Sequence, residues 1–177
     1  MIQKDIKTKL KEFFFLNPTA KLWVRQIERE VKISFPSVVR YGKELEKEGI
    51  LKSTVAPGIT LYSADRSSAQ FLLDKKLYNL RSLFLVGLLD FLIRELSNPP
   101  IVLFGSYAKG EDVEKSDIDL YIETANEKEL ELGKFENKLQ RKIQLFRYKD
   151  INKVKNKDLA NNIINGVTLN GFIEAFK

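Results

Sequence analysis

The chain has 177 residues, 44% of them apolar and 31% charged, the balance of an ordinary globular protein with enough length for two small cores. It has no His and no Cys, which excludes Ser-His and Cys-His nucleophilic sites, thiolate or imidazole zinc sites and disulfides. The net charge of +6 is uneven: residues 1–66 hold 13 Lys and Arg against 8 Asp and Glu, residues 67–97 hold 4 against 3, and residues 98–177 hold 13 against 13. A basic first third is the electrostatic footprint of a nucleic-acid partner, and the neutral last part carries none.

Met1-Ile2-Gln3-Lys4-Asp5 opens directly into a charged amphipathic pattern rather than a signal sequence, which predicts a cytoplasmic protein. The pattern then predicts a helix over Ile6–Leu16 that stops at Asn17-Pro18, and a second over Val24–Val31. Ser34 caps a third helix with Pro36 in its first turn, which runs to Glu48 and stops at Gly49. Leu51–Ala56 and Thr60–Ala64, either side of Pro57-Gly58, predict a hairpin.

Three helices and a hairpin in this order resemble a winged helix-turn-helix domain, with Ile33-Ser34 through Ile50-Leu51 similar to a recognition helix and wing entry. The resemblance implies double-stranded DNA as a partner, Val38 and Leu45 in the core, and Ser37, Arg40, Tyr41 and Lys43 facing a major groove. The alternative is a protein-docking or dimerising module, in which the lysine-rich helix face is simply solvated.

Residues 67–97 predict a long connecting helix, with Phe71, Leu72, Leu77, Leu80, Phe84, Leu88, Phe91 and Leu92 near a helical period and Ser97-Asn98-Pro99-Pro100 as its end. Such a helix packs on both domains as a spacer or pairs with its copy in a homodimer. Its most apolar stretch, Leu83 to Ile93, is about half of what a bilayer span requires and contains Asp90, so no membrane partner is expected.

Ile101 to Phe104 reads as a buried strand running into Gly105-Ser106 and a short helical stretch. Glycine lets a phosphate approach the backbone closely, Ser106 can donate to a phosphate oxygen, and Lys109 adds a charge. Ten residues after Ser106 come Asp117-Ile118-Asp119-Leu120-Tyr121-Ile122, a second strand-like segment. Its alternation puts both carboxylates on one face and Ile118, Leu120 and Ile122 on the other. Two carboxylates so placed suit hard cations, Mg²⁺ or Mn²⁺, that hold a triphosphate and assist phosphoryl transfer. A Walker loop is excluded, since Glu111 follows Gly110 where a Lys is required, and a dinucleotide fingerprint is absent too.

Gly-Ser, ten residues, then Asp-x-Asp, each half attached to an apolar strand, resembles the minimal nucleotidyltransferases of the DNA polymerase beta superfamily. The resemblance continues through a charged helix from about Glu127 to Gln140, a third strand over Lys142–Arg147, and Ile163 to Phe172 as a closing helix and tail. It implies an α+β chain: a winged helix-turn-helix domain at 1–66, the connecting helix at 67–97 and a small mixed-sheet domain at 98–177. It also implies Asp117 and Asp119 as catalytic metal ligands, Gly105, Ser106 and Lys109 as nucleotide-binding residues, and an NTP, ATP above all, as substrate. The family includes antitoxins that modify a partner toxin, so a protein hydroxyl is an acceptor by resemblance.

One departure matters. The family usually places a third carboxylate on the third strand, and this chain has Gln144 there, an amide that is no base and a poor metal ligand. Glu123, on the same face as the aspartates, and Asp150, just past the third strand, are the substitutes at hand. Two functions follow: a nucleotidyltransferase with a DNA-binding domain, or a DNA-binding regulator whose nucleotidyltransferase fold has lost its chemistry and senses a nucleotide or docks a partner. The lysine-rich stretch Lys149–Lys157 predicts a surface loop, and no internal repeat is visible.

Overall fold

The computed structural model describes residues 5–175, so Met1–Lys4 of the opening segment lie outside the described residues. The chain divides into two compact units, Met1–Tyr78 and Asn79–Lys177.

In the first unit the chain runs α1 (Ile6–Leu16), β1 (Lys21–Trp23), α2 (Val24–Val31), α3 (Phe35–Lys47), β2 (Leu51–Ala56) and β3 (Ile59–Ala64). Asp5 caps α1 by accepting from the Thr8 N–H at 2.9 Å, and Pro36 sits in the first turn of α3, where no N–H is missed. Leu10, Phe14, Ile27, Val38, Leu45, Ile50, Tyr62 and Phe71 form one buried cluster. Gly42 on α3 exists for packing, since a Cβ there would stand 2.7 Å from the Tyr62 ring. The hairpin is joined by a third strand: β1 pairs antiparallel with β3, Leu22 opposite Tyr62, giving the order β1-β3-β2. Three residues carry too little periodicity to read as a strand, and β1 forms because the edge of β3 is there to accept it.

The expected single helix over 67–97 is two helices, α4 (Ala69–Leu85) and α5 (Leu88–Glu95). Gly87 breaks it with φ +77°, a left-handed conformation costly for other residues, and the division between the two units falls inside α4 after Tyr78.

The second unit continues with β4 (Ile101–Phe104), α6 (Gly105–Lys109), β5 (Ile118–Glu123), α7 (Gly133–Leu139), β6 (Ile143–Tyr148), a 3₁₀ turn at Ile151–Lys153, α8 (Lys157–Ile164) and β7 (Val167–Asn170). The sheet order is β6-β5-β4-β7, with β5 and β6 parallel through the α7 crossover and the other pairs antiparallel. Both faces are buried. Ile101, Leu103, Ile118, Leu120 and Ile122 pack with Leu88, Leu92, Phe135 and Leu139, while Val102, Phe104 and Tyr121 pack with Ile151, Val154 and Ile163.

Two expectations are corrected here. The charged helix expected from Glu127 begins only at Gly133, because side chains hold the preceding backbone open: Thr124 Oγ1 accepts from the Asn126 N–H, Asn126 Oδ1 accepts from the Lys128 N–H, and Arg147 donates to the Lys128 carbonyl. The expected tail is the edge strand β7, brought against β4 by Gly166, where a Cβ would stand 2.5 Å from the Leu103 carbonyl oxygen. The Lys149–Lys157 segment is exposed along most of its length, as expected of a surface loop, and is anchored by Ile151 and Val154, which are buried beneath the sheet. Among the described residues no helix is long and apolar enough to cross a membrane.

Candidate active site

Antiparallel pairing of β4 with β5 sets Phe104 opposite Asp119, so the turn at Gly105 falls beside the Asp119 carboxylate. Gly105 has φ +74°, and a Cβ on it would land on Asp119 Oδ2, with Cγ only 3.3 Å away. No side chain but hydrogen fits both the backbone angle and the neighbour. The two halves of the sequence motif are therefore in contact. Ser106 lies half-buried in the first turn of α6, and Lys109 is exposed at the end of that helix, a turn away.

Asp119 is half-buried, and its carboxyl is held above the usual aspartate range, first by burial and then by the charge of Asp117. A bound cation between them reverses that logic by favouring both ionised forms. Asp117 itself is exposed and opens onto a cleft of about 390 Å³ lined also by Ser116, Asn137, Gln140 and Lys142.

The parallel register places Gln144 opposite Asp119, on the same sheet face. The Ile118 N–H donates to the Lys142 carbonyl at 2.8 Å, just before β6, and the Lys142 side chain lines the same cleft as Asp117. Lys142 Nζ donates to Glu136 Oε2 at 2.8 Å and Glu136 also accepts from the Ile143 N–H at 3.0 Å. Those contacts hold the Glu136 carboxyl below its usual range, while the Glu136 bond, and more weakly the charge of Asp117, raise Lys142 above its own.

Neither substitute carboxylate reaches the site. Glu123 lies four residues along β5 from Asp119, roughly 13 Å at strand rise, and it accepts a hydrogen bond from the buried Tyr121 hydroxyl at 3.2 Å. Tyr121 is pushed far up by burial and by Glu123. Asp150 follows the far end of β6 and caps the 3₁₀ turn by accepting from the Asn152 N–H. Among the described residues no group of three or more His, Cys, Asp or Glu stands ready for a metal. The donor set thus fits one divalent cation between Asp117 and Asp119, and it does not fit a second on the β6 side.

Sequence reasoning missed the support of this site. Asp112 and Arg141 are buried, with Arg141 Nη2 3.6 Å from Asp112 Oδ2. Asn79 Nδ2 donates to Asp112 Oδ1 at 2.7 Å and to the Tyr107 carbonyl at 3.0 Å. The network pins the middle of the ten-residue spacer to α6 on one side and to the start of β6 on the other. Nothing in the spacing of these residues along the chain pointed to it.

In the first unit, Arg40 and Lys43 are exposed on α3, Arg40 bonded to Glu44 at 3.1 Å and lying over the Tyr41 ring. Ser37 is half-buried and shares a hydrogen bond with Ser34, and Tyr41 is half-buried against the core cluster.

Residues 93–170, less than half of the chain, match the family described as polymerase beta nucleotidyltransferase, which supports a nucleotidyltransferase domain in the second unit. No curated protein and no solved structure gives a significant match.

Proposed function

We propose that the second unit transfers a nucleoside monophosphate from an NTP, ATP in the first instance, to the hydroxyl of an acceptor molecule, in a metal-dependent reaction. The observation that carries this reading is the contact of Gly105 with Asp119, which joins a phosphate-accepting turn to a carboxylate pair across two neighbouring strands. Asp117 and Asp119 would hold Mg²⁺ or Mn²⁺, whose charge stabilises the transition state of phosphoryl transfer when it is bound. Gly105 and Ser106 accept the β- and γ-phosphates, and Lys109, exposed at the end of α6, adds positive charge at that side. The acceptor oxygen forms its bond to the α-phosphorus as the bond from that phosphorus to the diphosphate breaks. Diphosphate leaves with its electron pair, and the hydroxyl proton passes to solvent through the open cleft beside Asp117. The neutral charge of this half favours a hydroxyl on a partner protein, such as a toxin, over one on a nucleic acid.

Incubation with Mg²⁺ or Mn²⁺ and alpha-labelled ATP, alone and with the product of the neighbouring gene, tests this. Label on a protein with the wild type and none with the Asp117→Asn/Asp119→Asn variant is the expected result. A second reading rests on Gln144 facing Asp119: a regulator that binds a metal–nucleotide without turning it over. Nucleotide binding with no label transferred to any acceptor decides for it.

The first unit, in this proposal, is a winged helix-turn-helix that contacts duplex DNA through α3. Its order of elements and the exposed Arg40 and Lys43 support that reading. Gel shifts of the whole chain should weaken as salt rises, because bound lysines and arginines release condensed counterions, and no shift at low salt would make the unit a docking module.

A further inference from the structure

The first unit carries a cavity of about 290 Å³ where the start of α2, the first turns of α3 and the hairpin turn meet, lined by Trp23, Arg25, Phe35, Val39, Ile59 and Thr60 among others. Two of its walls are aromatic rings left open to solvent, Trp23 at 36% and Phe35 at 37% exposure, and Ile59 is exposed beside them. Aromatic rings carry the largest apolar area a side chain can bury, so two bare ones on one small cavity mark a binding surface. Glu28 builds this corner. Its Oε1 accepts from the Phe35 N–H at 3.2 Å and its Oε2 accepts from Arg25 Nη1 at 3.1 Å, while the guanidinium lies over the Phe35 ring, 4.6 Å from its centroid. A guanidinium has five donors, so one bond to Glu28 leaves it able to take an anion as well.

The sheet supplies further charge. Leu22 and Tyr62 pack in the core cluster, so alternation turns Lys21 and Trp23 of β1, Leu61 and Ser63 of β3 and Lys52 of β2 to the outer face. Lys21 and Lys52, both exposed, stand in register on either side of Ser63, and Trp23 is two residues on from Lys21, roughly 7 Å at strand rise. Among the described residues lining the cavity Arg25 is the one charged side chain, and no carboxylate is among them. The ligand that fits is an anion with an apolar plane. A protein side chain supplies one or the other, whereas a nucleotide supplies both, and its base is of a size for this cavity. In a duplex both faces of each base are covered by its neighbours, so only a base out of the stack can lie on Trp23 and Phe35.

We propose that this face of the first unit binds single-stranded nucleic acid: one unpaired base enters the cavity against Trp23 and Phe35, Arg25 takes the adjoining phosphate, and Lys21 and Lys52 guide the strand along the outer sheet face. Neither the contact of α3 with duplex DNA nor nucleotidyl transfer by the second unit is needed for it.

Trp23 is the one tryptophan of the chain, so its fluorescence reports on this surface. Titrating the whole chain with a short oligothymidylate should quench it. A strand of the same length and charge built from abasic units should bind at least about fivefold more weakly and leave the emission unquenched, since stacking one base is worth at least that much. A duplex of the same length should leave the emission unchanged whether or not it binds. Equal affinity for the abasic strand, or quenching by the duplex as strong as by the single strand, overturns the proposal. Thymidine monophosphate that quenches as strongly at equal nucleotide concentration also overturns it, by making the cavity a small-molecule site. By fluorescence anisotropy of the labelled strand, Phe35→Ala should weaken binding at least about fivefold and Phe35→Tyr should keep most of it. Arg25→Ala should make the slope of log affinity against log salt shallower by about 0.7, one phosphate contact on a single strand, and Arg25→Lys should restore it. Lys9→Ala, which removes an equal charge from α1 outside the cavity and the sheet, should change affinity less than about twofold. An unaltered Phe35→Ala, or an equal loss in Lys9→Ala, overturns the assignment to this face. A chain that binds oligothymidylate in this way and shifts no duplex supports it, and refutes the duplex contact of α3 alone.

Discussion

Replacing Gly105 with Ala should damage the second unit at the motif itself. Two costs add. The left-handed backbone at φ +74° costs a residue with a Cβ roughly 1–2 kcal/mol. The new methyl also lands on Asp119 Oδ2, and moving that carboxylate off its rotamer costs roughly another 0.5–1.5 kcal/mol. Gly87 separates the two, because it has φ +77° and a Cβ added there would meet nothing within 4 Å, so Gly87→Ala carries the backbone cost alone. Urea melts followed by far-UV circular dichroism should show Gly105→Ala destabilised by roughly 2–3 kcal/mol and Gly87→Ala by roughly half that. Adding Asp119→Ala to Gly105→Ala should recover the difference, as expected for neighbours that couple. If the two glycine variants are equally stable and Gly105→Ala binds metal–nucleotide as well as the wild type does, the contact that joins the motif halves is not what shapes the site.

Two further predictions concern the spacer and the crossover. Asp112→Asn should destabilise the protein by roughly 3–5 kcal/mol, because Arg141 stays charged in a buried setting, and Asp112→Asn/Arg141→Met should recover part of that loss in the same melts. Glu136→Gln should lower the melting temperature at neutral pH. A carboxyl whose folded pKa is depressed adds stability above its unfolded pKa and loses it as pH falls through the folded one, so the gap to wild type should close below the usual glutamate range. A gap that stays constant with pH would show that the Lys142 and Ile143 contacts do not hold Glu136 ionised.

What the sequence disclosed was whatever depends on local spacing. Asp-x-Asp on an alternating strand needs only period two to share a face, and Ser34-Phe35-Pro36 needs only one turn to start a helix. The position of Gln144 opposite Asp119 was also within reach, since a parallel partner strand must align its apolar residues with Ile118 and Leu120. The rest depended on partners distant in the chain. Lys21–Trp23 and Val167–Asn170 are strands because β3 and β4 offer them free edges, and neither has a period of its own. Glu127–Leu132 has strong helix formers, yet the Arg147 bond to the Lys128 carbonyl and the Asn126 turn override them. Glu123 shared a face with the aspartates on paper, and only strand length shows it to be at the wrong end. Asp112 and Arg141 are far apart in the chain, and only the fold brings them together.

The central claim is that Asp117 and Asp119 form a metal site that takes a nucleotide. Isothermal titration of ATP in the presence and absence of Mg²⁺, on the wild type and on Asp117→Asn/Asp119→Asn, tests it most directly. The account predicts wild-type binding that requires Mg²⁺ and is lost in the double variant, because two neutral amides leave the desolvation of the cation without compensation. Equal Mg²⁺–ATP affinity in both proteins, with the variant folded, would contradict it.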